Sequence, residues 1–362
     1  MPLNITVLTH FLSPYQSELF DAVSRQGEFE LKVIYLHQQH FTRQWEAGAQ
    51  CHNAIFIKRD PLVLDQVKQL MIESDLVVFG YYKEWPVSQL INLRACSGKP
   101  WCFWGERPGY KMPLPLGRLY RRFRLRELHS SRAPIWGIGK WAIAGYKHEF
   151  GEDRQYFNVP YFSNLDKFIE SNKSHHNSNQ LRFLFSGTLS RRKGVDLLLT
   201  AFDNLTKEYD FIHLDLIGDG PLRKLVEKIA DGNGRIAWHG FQHWEDLPAF
   251  YAKADILCVP SRYDGWGLVI PEGLAAGLPV IATNRMGAAL DLIQPEVNGW
   301  LIAAGYRDEL TRAISDAVQL NKQKLTTMSV NARETAKYCG LEQGVKTFHH
   351  AVHGTLRAWS GC

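Results

Sequence analysis

Residues 260–283 read P-S-R-Y-D-G-W-G-L-V-I-P-E-G-L-A-A-G-L-P-V-I-A-T, and their reading decides the fold. The apolar run before them, Ala254 to Val259, stops at Pro260. It predicts a buried parallel strand with a turn behind it. Gly265 and Gly267 let the backbone come close to a ligand. A helix is expected from near Leu268, with Pro271 tolerated in its first turn and an end at Gly277. Leu278 to Thr283 reads as the next strand. A helix N-terminus at the carboxyl end of a parallel strand binds phosphate. Asp264 and Glu272, eight positions apart, flank that place. A carboxylate beside phosphate is unfavourable, so both are expected to accept hydroxyl hydrogen bonds. Phosphate together with hydroxyl acceptors points to a sugar nucleotide.

The stretch resembles the E-x7-E signature of retaining GT-B glycosyltransferases of the family 4 type (glycosyl transferases group 1), with Asp264 where that pattern has its first Glu. Gly187-Thr-Leu-Ser-Arg191-Arg192-Lys193-Gly194 resembles the same family's G-[RT]-L-x-x-x-K-G loop. Ile217-Gly-Asp-Gly-Pro221 and Asn284 to Ala288 are similar to further loops of it, so the resemblance is strong over 181–302. It implies an α/β GT-B fold, two Rossmann-like doubly wound domains facing across a cleft, the first for the acceptor and the second for the donor. It also implies that Lys193 meets the donor diphosphate, with Arg191 or Arg192 as a second cation. Gly187 and the strand end at Gly240 and Phe241 would line the nucleotide. Gly265 and the Gly267, Leu268 and Val269 amides would face the departing charge, Glu272 would hold the ribose hydroxyls, and Asp264 would hold the hexose 3- or 4-hydroxyl.

The rest of the chain is consistent with that frame. Its 362 residues are long for one core and favour two domains. A composition 45% hydrophobic and 22% charged is that of a soluble globular chain. No apolar run approaches the roughly 18 residues that span a bilayer. No basic segment precedes the strand-like Ile5 to Thr9, so a cytoplasmic location is expected, with the inner face of the membrane as a further setting. Six cysteines lack any C-x-x-C pair and read as free thiols. The expected domains are 1–168, a polar linker 169–180, a second domain 181–340, and a helix 341–362 crossing back to the first.

In the first domain apolar runs alternate with amphipathic helices, the pattern of a doubly wound sheet. Ligands sit at the carboxyl ends of such strands. His10 and Tyr15 follow the first strand, and Glu106 follows Pro100 to Trp104. All three are candidate acceptor-binding residues, Glu106 also as a base for the acceptor hydroxyl. Tyr156 to Phe162 reads as this domain's last strand. Six arginines between Arg118 and Arg132, interleaved with Leu119, Phe123 and Leu125, are a surface helix or a contact with anionic membrane. No nucleic-acid module accompanies them. Gly137-Ile-Gly-Lys-Trp-Ala142 spells G-x-G-x-x-A but falls in a late βα unit, so it reads as a tight turn and not a dinucleotide site.

The expected activity is transfer of a hexose from a UDP- or GDP-linked donor to a glycan or lipid-linked acceptor with retained configuration, in bacterial surface polysaccharide or lipopolysaccharide synthesis. No D-x-D motif stands in a donor loop, so neither metal nor cofactor is expected. The alternatives are a sugar-nucleotide epimerase of the same fold and a non-catalytic nucleotide-sugar-binding protein.

Overall fold

The computed structural model describes residues 2–38, 50–57, 60–108, 114–171 and 180–360. Most of the stretch read as a linker, including His175 and His176, lies outside them. The chain divides into two compact units, residues 1–163 with 341–362, and residues 164–340. The second unit therefore starts ahead of the expected boundary at 168.

The first unit runs β1 (Leu3–Phe11), α1 (Pro14–Arg25), β2 (Phe29–His37), β3 (Asn53–Phe56), α2 (Pro61–Glu73), β4 (Leu76–Phe79), α3 (Val87–Cys96) and β5 (Trp101–Gly105). It continues with α4 (Leu114–Arg124), α5 (Arg126–Ser130), β6 (Ile135–Gly137), α6 (Lys140–Phe150) and β7 (Tyr156–Asn158). All pairings are parallel, in the order β3-β2-β1-β4-β5-β6-β7. Strands β4 and β5 are buried throughout, as apolar runs covered by helices on both faces must be. The helix Leu341–Ser360 belongs to this unit. Its Thr355 accepts a 2.9 Å bond from buried Trp136, and Trp359 donates to the Trp101 carbonyl at 3.0 Å.

The second unit runs α7 (Asp166–Glu170), β8 (Leu181–Ser186), α8 (Val195–Leu205), β9 (Ile212–Ile217), α9 (Arg223–Gly232), β10 (Ile236–Trp238) and α10 (Leu247–Lys253). Then come β11 (Ile256–Val259), α11 (Val269–Ala275), β12 (Val280–Thr283), α12 (Gly287–Leu292), β13 (Gly299–Ile302), α13 (Arg307–Val318) and α14 (Lys322–Ala336). Its parallel sheet has the order β10-β9-β8-β11-β12-β13. Phe183, Phe185, Phe202, Ile256 and Ile281 are among the side chains of its core. In each sheet the strand order reverses once, between β1 and β4 and between β8 and β11. Those reversals are where open α/β sheets bind ligands.

Two expected elements are corrected. The strand read over 156–162 ends at Asn158, because Pro160 has no N–H to continue a ladder. The arginine-rich segment is two helices, broken at Leu125, which is buried. The longer of them, α4, is held by Arg121, whose Nε and Nη2 reach Glu149 at 2.8 and 2.6 Å with both side chains buried.

Burial would push the Glu149 carboxyl up, yet His129 and Arg121 hold it below the usual range. His129 Nε2 stands 3.6 Å away, so the guanidinium is the firmer partner. Glu149→Leu leaves the guanidinium buried and unpaired, and should cost about 3–5 kcal/mol in a urea titration; a change under about 1 kcal/mol would show the pair to be idle. Because the folded pKa is depressed, the wild-type contribution is full above the unfolded carboxyl value of about 4.3. It is lost as pH falls through the lower folded value.

Candidate functional site

The reversal between β8 and β11 collects the charged loop of the second unit. After Ser186 the chain turns through Gly187 and makes a short 3-10 turn, Arg191–Lys193, before α8. Ser190 caps that turn, its side chain accepting from the Lys193 amide. Gly194 follows with φ +75°, and a Cβ there would lie 2.0 Å from the Pro260 carbonyl oxygen. Only glycine lets the loop after β8 press against the end of β11.

Lys193 Nζ thereby reaches Asp264 Oδ2 at 2.5 Å, and Arg192 Nη1 lies 3.8 Å from Oδ1 while donating to the Tyr263 carbonyl at 3.1 Å. The nearby Arg262 is committed elsewhere, to Asp196 at 2.7 and 2.9 Å. Two cations thus face one carboxylate. Gly267, φ +99°, turns the chain from Asp264 into α11, and a Cβ on it would meet Met286 at 2.7 Å. The helix proper starts at Val269, with Leu268 as its cap; the Ile270 amide donates to the Gly267 carbonyl at 3.0 Å, and Pro271 has no N–H to satisfy.

Glu272, on α11, is 7% exposed and accepts from the Tyr251 hydroxyl at 3.1 Å. Burial, then the Glu272 charge, pushes Tyr251 well above its ordinary pKa and keeps it a donor. Ser261 Oγ and Trp266 Nε1, in the same loop, are buried without a hydrogen-bond partner among the described residues. Such a deficit costs about 1–3 kcal/mol each. Gly240 stands past β10 with φ +72°, its carbonyl accepting from Gly218, and Phe241 beside it is partly exposed.

The acceptor-side expectations are distributed differently. His10 is joined to residues the sequence reading did not single out: its Nε2 is 3.1 Å from Glu84 Oε1, and His37 Nε2 is 2.7 Å from Oε2. Tyr81 stacks on His10 with ring centroids 4.0 Å apart and donates to Glu84 Oε1 at 2.9 Å. Burial would raise the Glu84 carboxyl, but His37, Tyr81 and His10 hold it below its usual range. The signal that could have found this cluster is positional, since His10 and His37 end adjacent strands and Glu84 follows β4. Tyr15 instead packs on Tyr161, centroids 4.9 Å apart. Glu106 is exposed past β5, and its backbone carbonyl accepts from Tyr146.

The basic segment is only partly outward. Arg121 is buried and Arg124 donates to the Tyr82 and Lys83 carbonyls, whereas Arg118, Arg122, Arg126 and Arg132 are exposed, Arg126 paired with Glu127.

Comparison with known proteins bears on the fold. Residues 166–335 match the family model described as Glycosyl transferases group 1. An uncharacterised glycosyltransferase of Methanocaldococcus jannaschii is 30% identical over 201 residues, 55% of this chain and 54% of that protein. The chain thus spans about half the length of that relative. A GDP-mannose-dependent alpha-(1-6)-phosphatidylinositol monomannoside mannosyltransferase of Mycobacterium tuberculosis is 23% identical over 303 residues, 78% of this chain and 77% of that one. The crystal structure of Anabaena HepE in complex with UDP superposes with a TM-score of 0.74 at 16% identity, covering 98% of this chain and 100% of that one. Residues 166–335 are accordingly similar to a glycosyl transferases group 1 domain, and the chain that carries them has the GT-B fold.

Proposed function

We propose that this chain is a retaining glycosyltransferase that moves a hexose from a nucleoside-diphosphate donor to an acceptor hydroxyl. The observation that carries the reading is the Lys193–Asp264 pair at the strand-order reversal of the second sheet, with Arg192 beside it. A donor diphosphate takes Lys193 and Arg192, and Asp264 is released to hold a hexose hydroxyl. Glu272 accepts from the ribose hydroxyls. In the transfer the bond from the anomeric carbon to the β-phosphate oxygen breaks while the acceptor oxygen bonds to the same face. The acceptor proton passes to the leaving phosphate. Lys193, Arg192 and the amides at Gly267, Leu268 and Val269 stabilise charge that grows as that bond breaks. These cations meet the electrostatic need at the donor without a metal ion. His10, Tyr15 and Glu106 are proposed for the acceptor.

The acceptor is proposed to be lipid-linked, in surface glycan synthesis. On α4, Leu116, Leu119, Tyr120 and Phe123 recur at helical spacing and are 63, 66, 36 and 76% exposed. Arg121 faces inward, and exposed Arg118 and Arg122 flank the stripe. Apolar side chains rimmed by arginine suit the surface of an anionic bilayer. Among the described residues no helix is long and apolar enough to cross a membrane.

Thermal shift with a panel of UDP, GDP and their sugars tests the donor half. One base should raise the midpoint, and Lys193→Ala should weaken that ligand roughly ten-fold or more, the value of a hydrogen bond to a charged group. Glu272→Ala should abolish discrimination between the ribo- and 2′,3′-dideoxy-nucleotides. No shift with any nucleotide sinks the reading. For the bilayer, sedimentation with phosphatidylglycerol vesicles should pull down wild type and leave a Leu119→Glu, Phe123→Glu double variant in solution. Equal sedimentation of both, or none of wild type, would rule the contact out.

A further inference from the structure

We propose that His10, His37 and Glu84 form a binding site for a divalent transition-metal ion of the zinc class. The three side chains come from three places in the first unit, the ends of β1 and β2 and the loop after β4, at the reversal of strand order between β1 and β4. The register pairs Phe11 with His37, which sets the two histidines one position apart along neighbouring strands. Their Nε2 atoms and the Glu84 carboxylate offer one ligand atom each, all within 4.8 Å of one another. Tetrahedral ligands at about 2.0–2.2 Å lie about 3.4 Å apart, so a small inward movement of these side chains closes the set around one ion.

Donor chemistry selects the metal. Two imidazoles and one carboxylate favour zinc, cobalt or nickel, whereas magnesium and calcium take oxygen ligands. The surroundings are those of a supported site. Tyr81 donates to Glu84 Oε1 and its ring lies parallel to that of His10, so both ligands are oriented by a neighbour. Three protein ligands leave coordination positions open, and the His37 and Glu84 side chains are 46 and 42% exposed, so water or a substrate oxygen can enter. Without metal the carboxylate bridges the two rings by hydrogen bonds. With metal the ion takes that place, and each ring carries its remaining proton on Nδ1. The expectation of no metal rested on the absence of D-x-D from the donor loops, and this cluster lies in the other unit.

The test needs neither donor nor acceptor. The full chain is dialysed against Zn2+, desalted, and assayed for metal per chain, with Co2+ in parallel for its visible d–d spectrum. Wild type should retain one ion per chain and show the Co2+ band. His37→Ala and Glu84→Gln should each bind roughly ten-fold more weakly or worse. His353→Ala, which dismantles the separate Glu28–His349–His353 cluster, should bind as wild type. Circular dichroism confirms that each variant is folded. If His37→Ala does not fold, the wild-type stoichiometry and Co2+ spectrum decide. Wild type without a stoichiometric ion, a folded His37→Ala that binds normally, or loss of binding in His353→Ala would each overturn the proposal.

Discussion

A parallel sheet wound in both directions from a starting strand leaves one crevice, because the connections on either side of it depart to opposite faces. That constraint acts twice in this chain. Between β8 and β11 it brings a basic turn, 191–193, against an acidic one, 264, though 71 residues separate Lys193 from Asp264. Between β1 and β4 it brings His10, His37 and Glu84 together. Close approach at Gly194, where a Cβ would lie 2.0 Å from the Pro260 carbonyl oxygen, and the left-handed turn at Gly267 then shape the first crevice.

The electrostatics of the second unit follow from a local conflict. Three consecutive cations, Arg191, Arg192 and Lys193, stand just ahead of α8, where the helix dipole already presents positive charge. Asp196 in the first turn of α8 eases that conflict but is itself paired with Arg262. The family resemblance implies a donor diphosphate at Lys193. In the structure Asp264 stands there, as an anion supplied by the chain itself. On the proposed reading donor binding is therefore an exchange of anions, with diphosphate replacing carboxylate at Lys193, and this exchange frees the carboxylate for a sugar hydroxyl.

What the sequence made legible was local. In the second unit the strand runs and turn glycines are short-range signals, and the structure brings Lys193 against Asp264 and starts α11 between Gly267 and Glu272. The first unit yields its cluster only through topology. His10, His37 and Glu84 carry no spacing pattern, because each belongs to a different strand end and their meeting depends on strand order. Nor could composition show that Arg121 turns inward to buried Glu149 while Leu119 and Phe123 turn out. An arginine in a basic run reads as solvated until a helix from elsewhere in the chain, here α6, presents a carboxylate to it. The strand lost beyond Asn158 had a visible cause in Pro160, which outweighed its aromatic β-propensity.

The most direct measurement is a crystal structure of the full chain with the nucleoside-diphosphate sugar that binds it. The account predicts Lys193 Nζ within about 3 Å of a phosphate oxygen, with Asp264 released from it and accepting from a hexose hydroxyl, and Glu272 on the ribose. A structure with the Lys193–Asp264 pair still closed and the diphosphate bound elsewhere would contradict it.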